Sequence, residues 1–362
     1  MVPPVGKNDV TLQQVAVRAG VSIATVSRVA RGVGPVSDGT RTMVKAVIDE
    51  LGFRANNLGP AIAPRTHGAL GVVLPGLSGP YHAGVIAGFE SAAVAERLSV
   101  LILGTHLLAE SNDLVLDMAD RVDGIAVLGG SVDLGVIDAL IRHKCPVVQV
   151  AGLPRQGVST VRCENTNAVR GLTRHLLIDH GYRRLAFVGN PVGSPDAAAR
   201  WQGFRAAHRD AGRPAPSEPL RFGHDQASGI HAAEQILKSR LRPRAVVCMN
   251  DETALGMLVS MLGHGLRVPD DIAITGFDDL PVSALTSPPL TTVRQPVRKL
   301  GVRALQTLLT LIERAAKPVI LDAVLPTEVV IRSSCGCPPR QAQGKVRKTA
   351  TRRPRIAGPD VP

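Results

Sequence analysis

A short stretch near the start of the chain concentrates small hydrogen-bonding side chains and one arginine. Ser22, Thr25 and Ser27 carry hydroxyl groups, and Arg28 follows them directly. Hydroxyl groups bind phosphate oxygens and base edges of DNA, and a guanidinium group binds guanine or phosphate. A helix over this stretch would expose two apolar and two polar side chains, namely Ile23, Ala24, Ser27 and Arg28. These residue types predict a helix that enters the major groove of DNA.

Apolar residues at helical spacing predict three short helices within residues 10–52. Their apolar positions repeat at three and four residues; they are Leu12, Val15, Ala16 and Ala19, then Val26 and Val29, then Val44, Val47, Ile48 and Leu51. Ser22 and Ser37 precede the second and third helices as N-caps, while Gly20 and Gly52 end the first and third. The tight first turn predicts a helix-turn-helix. The same spacing suits a three-helix bundle without a DNA role, so spacing alone leaves both open.

A longer resemblance favours the DNA-binding interpretation. Val-Thr-Leu-Gln-Gln-Val-Ala at 10–16 and Ala-Gly-Val-Ser-Ile-Ala-Thr-Val-Ser-Arg-Val at 19–29 resemble the N-terminal signature of the lactose-repressor (LacI/GalR) family. Residues 36–56 are similar to the third helix of that family and its exit. The resemblance implies that residues at or near DNA are Thr11, Leu12, Ser22, Ile23, Ala24, Thr25, Ser27, Arg28, Ser37, Thr40 and Asn56.

The segment 56–67 matches the family's hinge less well. Family members usually have a short helix here that inserts a leucine into the minor groove, and Ile62 occupies the matching position. Gly59 and Pro60 depart from the pattern, because proline disfavours the helical region for the residue before it. Pro64 limits any helix to about one and a half turns. We expect Ile62 to act as the apolar wedge of a hinge helix; an extended linker is the alternative.

From residue 69 onward, apolar strands alternate with helices. The predicted strands are 70–74, 100–103, 125–128, 147–150, 185–188, 245–249 and 272–275, and the predicted helices are 82–96, 134–143, 168–179, 200–211, 230–237 and 253–263. This alternation predicts two doubly wound α/β subdomains with parallel sheets. The expected organisation is a helix-turn-helix head (1–55), a hinge (56–67), a core (68–338) and a basic tail (339–362). Within the core, we expect a first subdomain at about 68–163 plus 293–324 and a second at about 164–290 plus 325–338.

The core resembles the family's effector-binding core, which is similar to periplasmic sugar-binding proteins. Matching phrases include Val-Asp-Gly-Ile at 122–125, Arg-Trp-Gln-Gly-Phe at 200–204, Asn-Asp-Glu-Thr-Ala-Leu-Gly at 250–256 and Gly-Phe-Asp-Asp at 276–279. The resemblance implies that Arg200, Asn250 and Asp278 bind a small-molecule effector; a structural Arg–Asp ion pair is the alternative. Tyr81 and His82 stand where family members often have two aromatic residues, and His224 stands where many have one. We therefore add all three to the predicted effector site, and we expect Trp201 to pack in the core.

Charge and composition exclude several classes of protein. The net charge of +12 divides into +4 for residues 1–65, +2 for 66–338 and +6 for 339–362. A basic end indicates binding to phosphate or anionic lipid without specifying a fold. The hydrophobic content of 44% excludes a disordered chain, and five cysteines without a paired framework fit a reducing cytosol. The tail is expected to be disordered, either as a non-specific DNA-tethering arm or as a solubilising extension.

Other chemical motifs are weaker. Cys335 and Cys337 resemble half of a zinc site, but no second Cys or His pair stands at motif spacing, so no metal is predicted. The adjacent acids Asp278 and Asp279 do not by themselves define acid–base catalysis. No nucleophile elbow or metalloprotease helix occurs. We expect no catalytic residues and no cofactor.

Together these patterns predict a cytoplasmic, nucleoid-associated transcriptional regulator, and specifically a repressor. Its expected partners are a near-palindromic operator in double-stranded DNA, a sugar or related metabolite such as a sugar acid, and a second copy of the chain, with a tetramer left open. A membrane partner is not expected. The competing interpretation is a solute-binding-protein-like sugar sensor without a DNA role. An enzyme of doubly wound fold is disfavoured by the missing catalytic motifs.

Overall fold

The computed structural model describes residues 12–31, 34–51, 67–152, 154–315 and 319–338. Its α-helices are α1 (Leu12–Ala19), α2 (Ile23–Arg31), α3 (Asp38–Leu51), α4 (Pro80–Ala95), α5 (Ser111–Ala119), α6 (Leu134–Arg142), α7 (Thr166–Arg174), α8 (Pro195–Asp210), α9 (Gln226–Lys238), α10 (Asp251–Gly263) and α11 (Val297–Glu313). Its strands are β1 (Ala69–Leu74), β2 (Ser99–Gly104), β3 (Ile125–Leu128), β4 (Val147–Val150), β5 (Ser159–Cys163), β6 (Leu185–Val188), β7 (Ala245–Cys248), β8 (Ala273–Thr275), β9 (Thr292–Arg294), β10 (Asp322–Leu325) and β11 (Glu328–Val330). The predicted hinge helix and basic tail lie outside the described residues.

The head is a three-helix unit with its own small apolar core. Every residue predicted for the apolar stripes lies in this core or packs against it. Ser22 Oγ accepts a hydrogen bond from the Thr25 amide at 3.2 Å, and Ser37 Oγ accepts one from the Thr40 amide at 3.4 Å. Gly20 adopts a φ of 62°, which favours glycine at the turn after α1. Both predicted N-caps and the glycine stop at Gly20 are therefore confirmed, while Gly52 lies outside the described residues.

The first subdomain is built on a six-stranded parallel sheet. The strand order is β10-β5-β4-β3-β1-β2, so β10, from near the end of the core, pairs with β5 at one edge. Alternate residues of β1 face opposite layers: Leu70 and Val72 pack with α4 and α11, while Ala69 and Val73 pack with α5 and α6. Helices therefore cover both faces of the sheet, as the run of apolar residues in β1 predicts.

The second subdomain has a three-stranded parallel sheet in the order β6-β7-β8. Val247 of β7 faces a core formed with α7 and α8, and its neighbour Val246 faces a core formed with α9 and α10. Strands β9 and β11 pair antiparallel beside this sheet, where Thr291 bridges to Thr275. The chain returns to the first sheet through α11 and β10 before it reaches β11. The predicted fold class is confirmed.

Some elements differ from the predicted ones. The helix expected over 168–179 is α7 followed by a π-helical segment, His175–Asp179. Helices α5 and α11 and strands β5, β9, β10 and β11 were not predicted. The four strands have only three to five residues, and no residue of β10 or β11 is fully buried. Helix α11 had a usable signal, since Leu300, Ala304 and Leu308 follow helical spacing and are all buried.

Candidate effector-binding site and DNA-binding surface

A cavity of about 450 Å³ lies between the two subdomains, and all six residues predicted to bind effector line it. Tyr81 and His82 come from the start of α4 in the first subdomain, and the other four come from the second. The volume is in the range typical of small-molecule sites. Residues that the sequence analysis did not select also line the cavity, among them Leu107, Leu128, Asp196, Phe222, Met249, Glu252 and Gln295.

A second cavity of about 510 Å³ has a less suitable position. Its lining includes Leu185, which begins β6, and Pro243, which lies two residues before β7. It therefore lies at the amino ends of these parallel strands. Small-molecule sites in open α/β sheets lie beyond the carboxyl ends, where Asn190 and Asn250 line the cavity between the subdomains. The smaller cavity is therefore the candidate effector site.

Arg200 on α8 is held rigidly at the floor of this cavity. The residue is only 6% exposed. Its Nε donates to Asn165 Oδ1 at 2.8 Å, and its Nη1 donates to the Met249 carbonyl at 2.6 Å. The guanidinium carbon also lies 3.7 Å from the centre of the Phe277 ring. These hydrogen bonds use two of its five N–H groups, so the fork retains donors for a ligand.

Asn165 and Asp196 are functional candidates that the sequence analysis did not select. Asn165 precedes α7, and its Nδ2 donates to Asp196 Oδ1 at 3.2 Å while its Oδ1 accepts from Arg200. Asp196 is in the first turn of α8 and also accepts from the Gly152 amide at 3.2 Å. A usable signal was present, because residues four apart on a helix lie on one face and Asp196 precedes Arg200 by four. The arrangement fixes a carboxylate and a guanidinium side by side in the cavity.

Asp278 is the most perturbed carboxyl group of the cavity. It follows β8, is 6% exposed and accepts from Gln295 Nε2 at 2.5 Å. Burial raises the pKa of Asp278 to about 8, and the nearby Arg200 opposes this shift. Its backbone has a φ of 126°, a conformation that non-glycine residues rarely adopt and that occurs most often at functional sites. The neighbouring Asp279 instead pairs with Arg294 and Arg332, each at 2.6 Å, so the two acids do not act together.

Asn250 lines the cavity and also stabilises the structure around it. Its Oδ1 accepts from the Thr253 amide at 3.0 Å and so caps α10. Its Nδ2 donates to the His224 carbonyl at 2.7 Å. Both halves of the amide are thus engaged within the protein, although the residue lines the cavity. These hydrogen bonds position α10 and the loop that carries His224, and each half of the amide retains capacity for a further hydrogen bond.

The remaining cavity wall combines aromatic faces with a further acid. The Tyr81 and His82 rings meet edge to face, with centroids 5.7 Å apart, and burial raises the pKa of Tyr81. His82 Nδ1 lies 2.8 Å from the Ser78 carbonyl, which can only accept, so Nδ1 carries the proton and Nε2 can accept. Phe222 lies two residues before His224, close to where the resemblance implied an aromatic residue. Burial also raises the pKa of Glu252.

The head exposes most of the predicted DNA-binding face of α2. Ser22, Ile23, Ala24 and Arg28 are exposed, while Thr25 is half-buried. Ser27 is wrong as a member of this exposed face, because only 7% of it is accessible. Among the other predicted contacts, Ser37 is exposed, Leu12 and Thr40 are half-buried, and Thr11, Asn56 and Ile62 lie outside the described residues.

Cys335 and Cys337 have a pair of histidines beside them, although no second Cys or His pair stands at motif spacing in the sequence. The structure places His175 and His180, more than 150 residues earlier, beside Cys335 and Cys337, with the ligand atoms of all four within 4.8 Å of one another. Sequence spacing could not reveal this pair, because only the fold brings it to the cysteines.

No helix within the described ranges is both long and apolar enough to span a membrane.

Comparisons with known proteins agree with the two-part architecture. Residues 11–56 match the model of bacterial regulatory proteins of the lacI family, and residues 174–335 match a periplasmic binding protein-like domain. The first match covers the head and favours a DNA-binding regulator over a sugar sensor without a DNA role.

Individual proteins extend the similarity over most of the chain. Catabolite control protein A of Priestia megaterium is 30% identical over 83% of this chain and 92% of its own. A structure of the transcriptional regulator CelR with cellobiose is 29% identical, covers 90% and 99% of the two chains, and has a TM-score of 0.69. A lac repressor dimer bound to operator and the anti-inducer ONPF is 27% identical, covers 91% and 99%, and has a TM-score of 0.79. The chain belongs to the lacI family of bacterial regulatory proteins, a family of DNA-binding transcriptional regulators and not of enzymes.

Proposed function

We propose that this regulator is a repressor whose operator affinity is controlled by a neutral polyhydroxylated small molecule, of the sugar or polyol class, bound between its subdomains. The observation that carries the proposal is the cavity in which all six predicted effector residues converge. The family relationship supports the repressor direction, and the cellobiose bound to CelR supports the chemical class. We also propose that the core divides into its two subdomains at the residue limits expected from the sequence.

The charges of the cavity favour a neutral ligand over a sugar acid. Three carboxyl groups line it, those of Asp196, Glu252 and Asp278, against the single guanidinium of Arg200. Arg200 is already paired through Asn165 with the Asp196 carboxylate. A ligand carboxylate could accept from Arg200 but could not donate to Asp196 or Glu252, whereas ligand hydroxyl groups can donate to these carboxyl oxygens and accept from Arg200 and from the protonated Asp278.

A thermal-shift screen tests the ligand class. Neutral sugars, polyols, sugar acids and nucleosides are compared at equal concentration, since a ligand at about 100 times its Kd stabilises the folded state by roughly 2.7 kcal/mol. We expect a neutral sugar or polyol to raise the melting temperature of the wild-type chain. Arg200→Lys should abolish the shift, and Arg209→Lys, an exposed arginine on the same helix, should retain it. A shift from acidic ligands alone contradicts the proposal.

The DNA-binding part of the proposal requires two heads. A near-palindromic operator is read by two copies related by two-fold symmetry, so we propose a homodimer as the active unit. Because operator DNA is part of the chromosome, we also propose that the protein is cytoplasmic and associated with the nucleoid. Selection from a randomised DNA pool should enrich two inverted half-sites. Enrichment of no palindromic sequence would refute this part.

Arg28 provides a site-directed version of the DNA test. Its side chain is exposed on α2, and loss of a guanidinium contact to a base costs about 1–3 kcal/mol, or roughly 5- to 150-fold in operator affinity. Lys45→Ala on the exposed face of α3 removes the same charge and is the matched control. At one salt concentration, Arg28→Ala should weaken operator binding by more than Lys45→Ala. Equal losses for both variants would mean that Arg28 contributes only its charge.

Effector control is measured on the same DNA. If an effector changes the affinity of the protein for operator by a given factor, operator must change the affinity of the protein for the effector by the same factor. Titration of the effector with and without operator should therefore give equal and reciprocal coupling. An effector that binds the cavity without altering operator affinity would refute control while leaving the binding site intact.

A further inference from the structure

Two histidines and two cysteines meet at the far end of the second subdomain, away from the effector cavity. His175 and His180 are at the two ends of the π-helical segment that follows α7. Cys335 and Cys337 are on the last described stretch of chain, after β11. Cys335 is fully buried, and Cys337 is partly exposed, so the cluster has one side accessible from solvent. We call these four residues the His–Cys cluster.

Four of the six distances between the ligand atoms match the edges of a tetrahedron around zinc, and all six are within 4.8 Å. The Nε2 atoms of His175 and His180 are 3.1 Å apart. His175 Nε2 lies 3.6 Å from Cys335 Sγ and 3.5 Å from Cys337 Sγ, and His180 Nε2 lies 3.4 Å from Cys337 Sγ. Tetrahedral Zn–N and Zn–S bonds of about 2.05 and 2.3 Å separate two nitrogens by about 3.3 Å and a nitrogen and a sulfur by about 3.6 Å.

The π-helical segment explains why both histidines face the cysteines. The His180 amide donates to the His175 carbonyl at 3.2 Å, which is the i→i+5 hydrogen bond of a π-helix. This wider turn places side chains five residues apart on one face, whereas an α-helix would direct them to different sides. Such π-helical turns are frequent at functional sites. The five-residue separation of the two histidines therefore fits the π-helical turn, which allows both imidazoles to bind one ion.

Neighbouring groups orient the ligands as they do in metal sites. His175 Nδ1 lies 2.8 Å from Asp179 Oδ2, so the carboxylate accepts the Nδ1 proton and leaves the Nε2 lone pair directed into the cluster. The His180 ring stacks on Tyr182 with centroids 5.2 Å apart, and the Tyr182 hydroxyl donates to the Cys335 carbonyl at 3.0 Å. Gly336 has a φ of 106°, and a Cβ there would lie 2.7 Å from the Tyr182 hydroxyl oxygen. Only glycine therefore fits between the two cysteines.

We propose that the His–Cys cluster binds a Zn²⁺ ion in a closed tetrahedral site. Each cysteine thiol loses its proton to solvent as a Zn–S bond forms, and each imidazole binds through its neutral Nε2, so the two thiolates balance the charge of the ion. Four protein ligands leave no open position, which makes the site structural. The ion fastens the chain at 335–337 to the end of α7, across a sequence separation of about 160 residues.

Metal content of the full chain without a histidine tag tests the proposal. The protein is purified under reducing conditions without chelator, and zinc is measured by mass spectrometry. We expect about one zinc ion per chain, and we expect Co²⁺ in its place to give the absorption of a tetrahedral thiolate site. Removal of zinc by a chelator should lower the melting temperature, with the single tryptophan, Trp201, as the probe, because it shares a core cluster with Cys335.

Matched variants separate the cluster from other thiols and imidazoles. Cys337→Ser and His180→Ala alter the more accessible members and should lower zinc to below about a tenth of an ion per chain. Cys145→Ser and His143→Ala remove a free cysteine and an exposed histidine elsewhere, and should keep the wild-type content. The far-ultraviolet circular dichroism spectrum and Trp201 fluorescence check that each variant is folded.

Several results would overturn the proposal. Reduced wild-type protein that holds no zinc even after incubation with ZnCl₂ would do so without recourse to any variant. Loss of zinc in Cys145→Ser or His143→Ala to the same extent as in Cys337→Ser would place the ion elsewhere. The unreduced protein could have an intact mass two hydrogens lower than expected, and the reduced protein could bind no metal. These two results together would indicate a Cys335–Cys337 disulfide in place of a metal site.

Discussion

Replacing Asp278 by asparagine should remove a pH dependence from the stability of the second subdomain. The carboxyl group is buried at the effector cavity, where burial raises its pKa to about 8 from an ordinary value of 3.8. Asparagine has nearly the same shape, keeps the oxygen that accepts from Gln295 Nε2, and tolerates a positive φ as aspartate does. The substitution therefore isolates the effect of the titrating proton.

The magnitude follows from the two pKa values. Between about pH 4 and pH 8 the folded state binds a proton at Asp278 that the unfolded state does not bind. Unfolding then releases a proton, so the free energy of unfolding falls by about 1.4 kcal/mol per pH unit. The stabilisation is complete below about pH 4 and is lost as the pH rises to about 8. From about pH 5 to pH 7, the stability of wild type relative to Asp278→Asn should fall by roughly 3 kcal/mol.

Urea unfolding monitored by Trp201 fluorescence measures this difference. Trp201 is the single tryptophan of the chain, and it packs against Phe187 and Phe204 in the core of the second subdomain. Other titrating groups contribute equally to both proteins and cancel in the difference. Asp117→Asn, at an exposed position on α5, is the matched control and should give a difference that does not change with pH.

The sign of the slope decides the outcome. A raised pKa requires the wild type to lose stability relative to Asp278→Asn as the pH increases. A difference that is flat between pH 5 and pH 7, or one that rises, would refute the assignment of a buried, protonated Asp278. It would also contradict the inference that Asp278 presents a carboxylic acid O–H group to the ligand near neutral pH.

Three further predictions concern packing, a buried acid and a helix cap. Gly203→Ala should lower stability by about 1–3 kcal/mol or more in urea unfolding, because its Cβ would collide with the Thr166 carbonyl between α8 and α7; Gly263→Ala, with nothing nearby, should be neutral. Asp251→Asn should cost about 2 kcal/mol, since an amide N–H would replace an oxygen that accepts from buried donors; an unchanged urea midpoint would contradict this. Ser37→Ala should cost about 1 kcal/mol, visible as roughly fivefold faster hydrogen exchange in α3, whereas unchanged exchange would exclude a capping role.

Local patterns in the sequence were sufficient for much of the fold. The helices of the head, with caps at Ser22 and Ser37, and the buried strands β1, β3, β4, β6 and β7 all follow from apolar spacing over a few residues. Short strands such as β5, β9 and β10 gave no comparable signal, because each has only three to five residues. For β10 the partner β5 is about 160 residues away.

The candidate effector site divides in the same way. Resemblance selected six residues, and all six line one cavity. It did not reveal that Asn250 also caps α10, or that Asn165 connects Arg200 to Asp196. Hydrogen-bond partners of this kind depend on the packing of α7 against α8, which no local pattern specifies.

The sequence by itself determined the chain's local chemistry: a helix-turn-helix, alternating strands and helices, and the residue types of the effector cavity. The tertiary structure alone decided which distant side chains meet. Ser27 turned inward because three helices share one small core. His175 and His180 met Cys335 and Cys337 because the chain returns to the end of α7 after crossing both sheets. Periodicity acts over one or two turns of chain, whereas these contacts depend on where the backbone comes back.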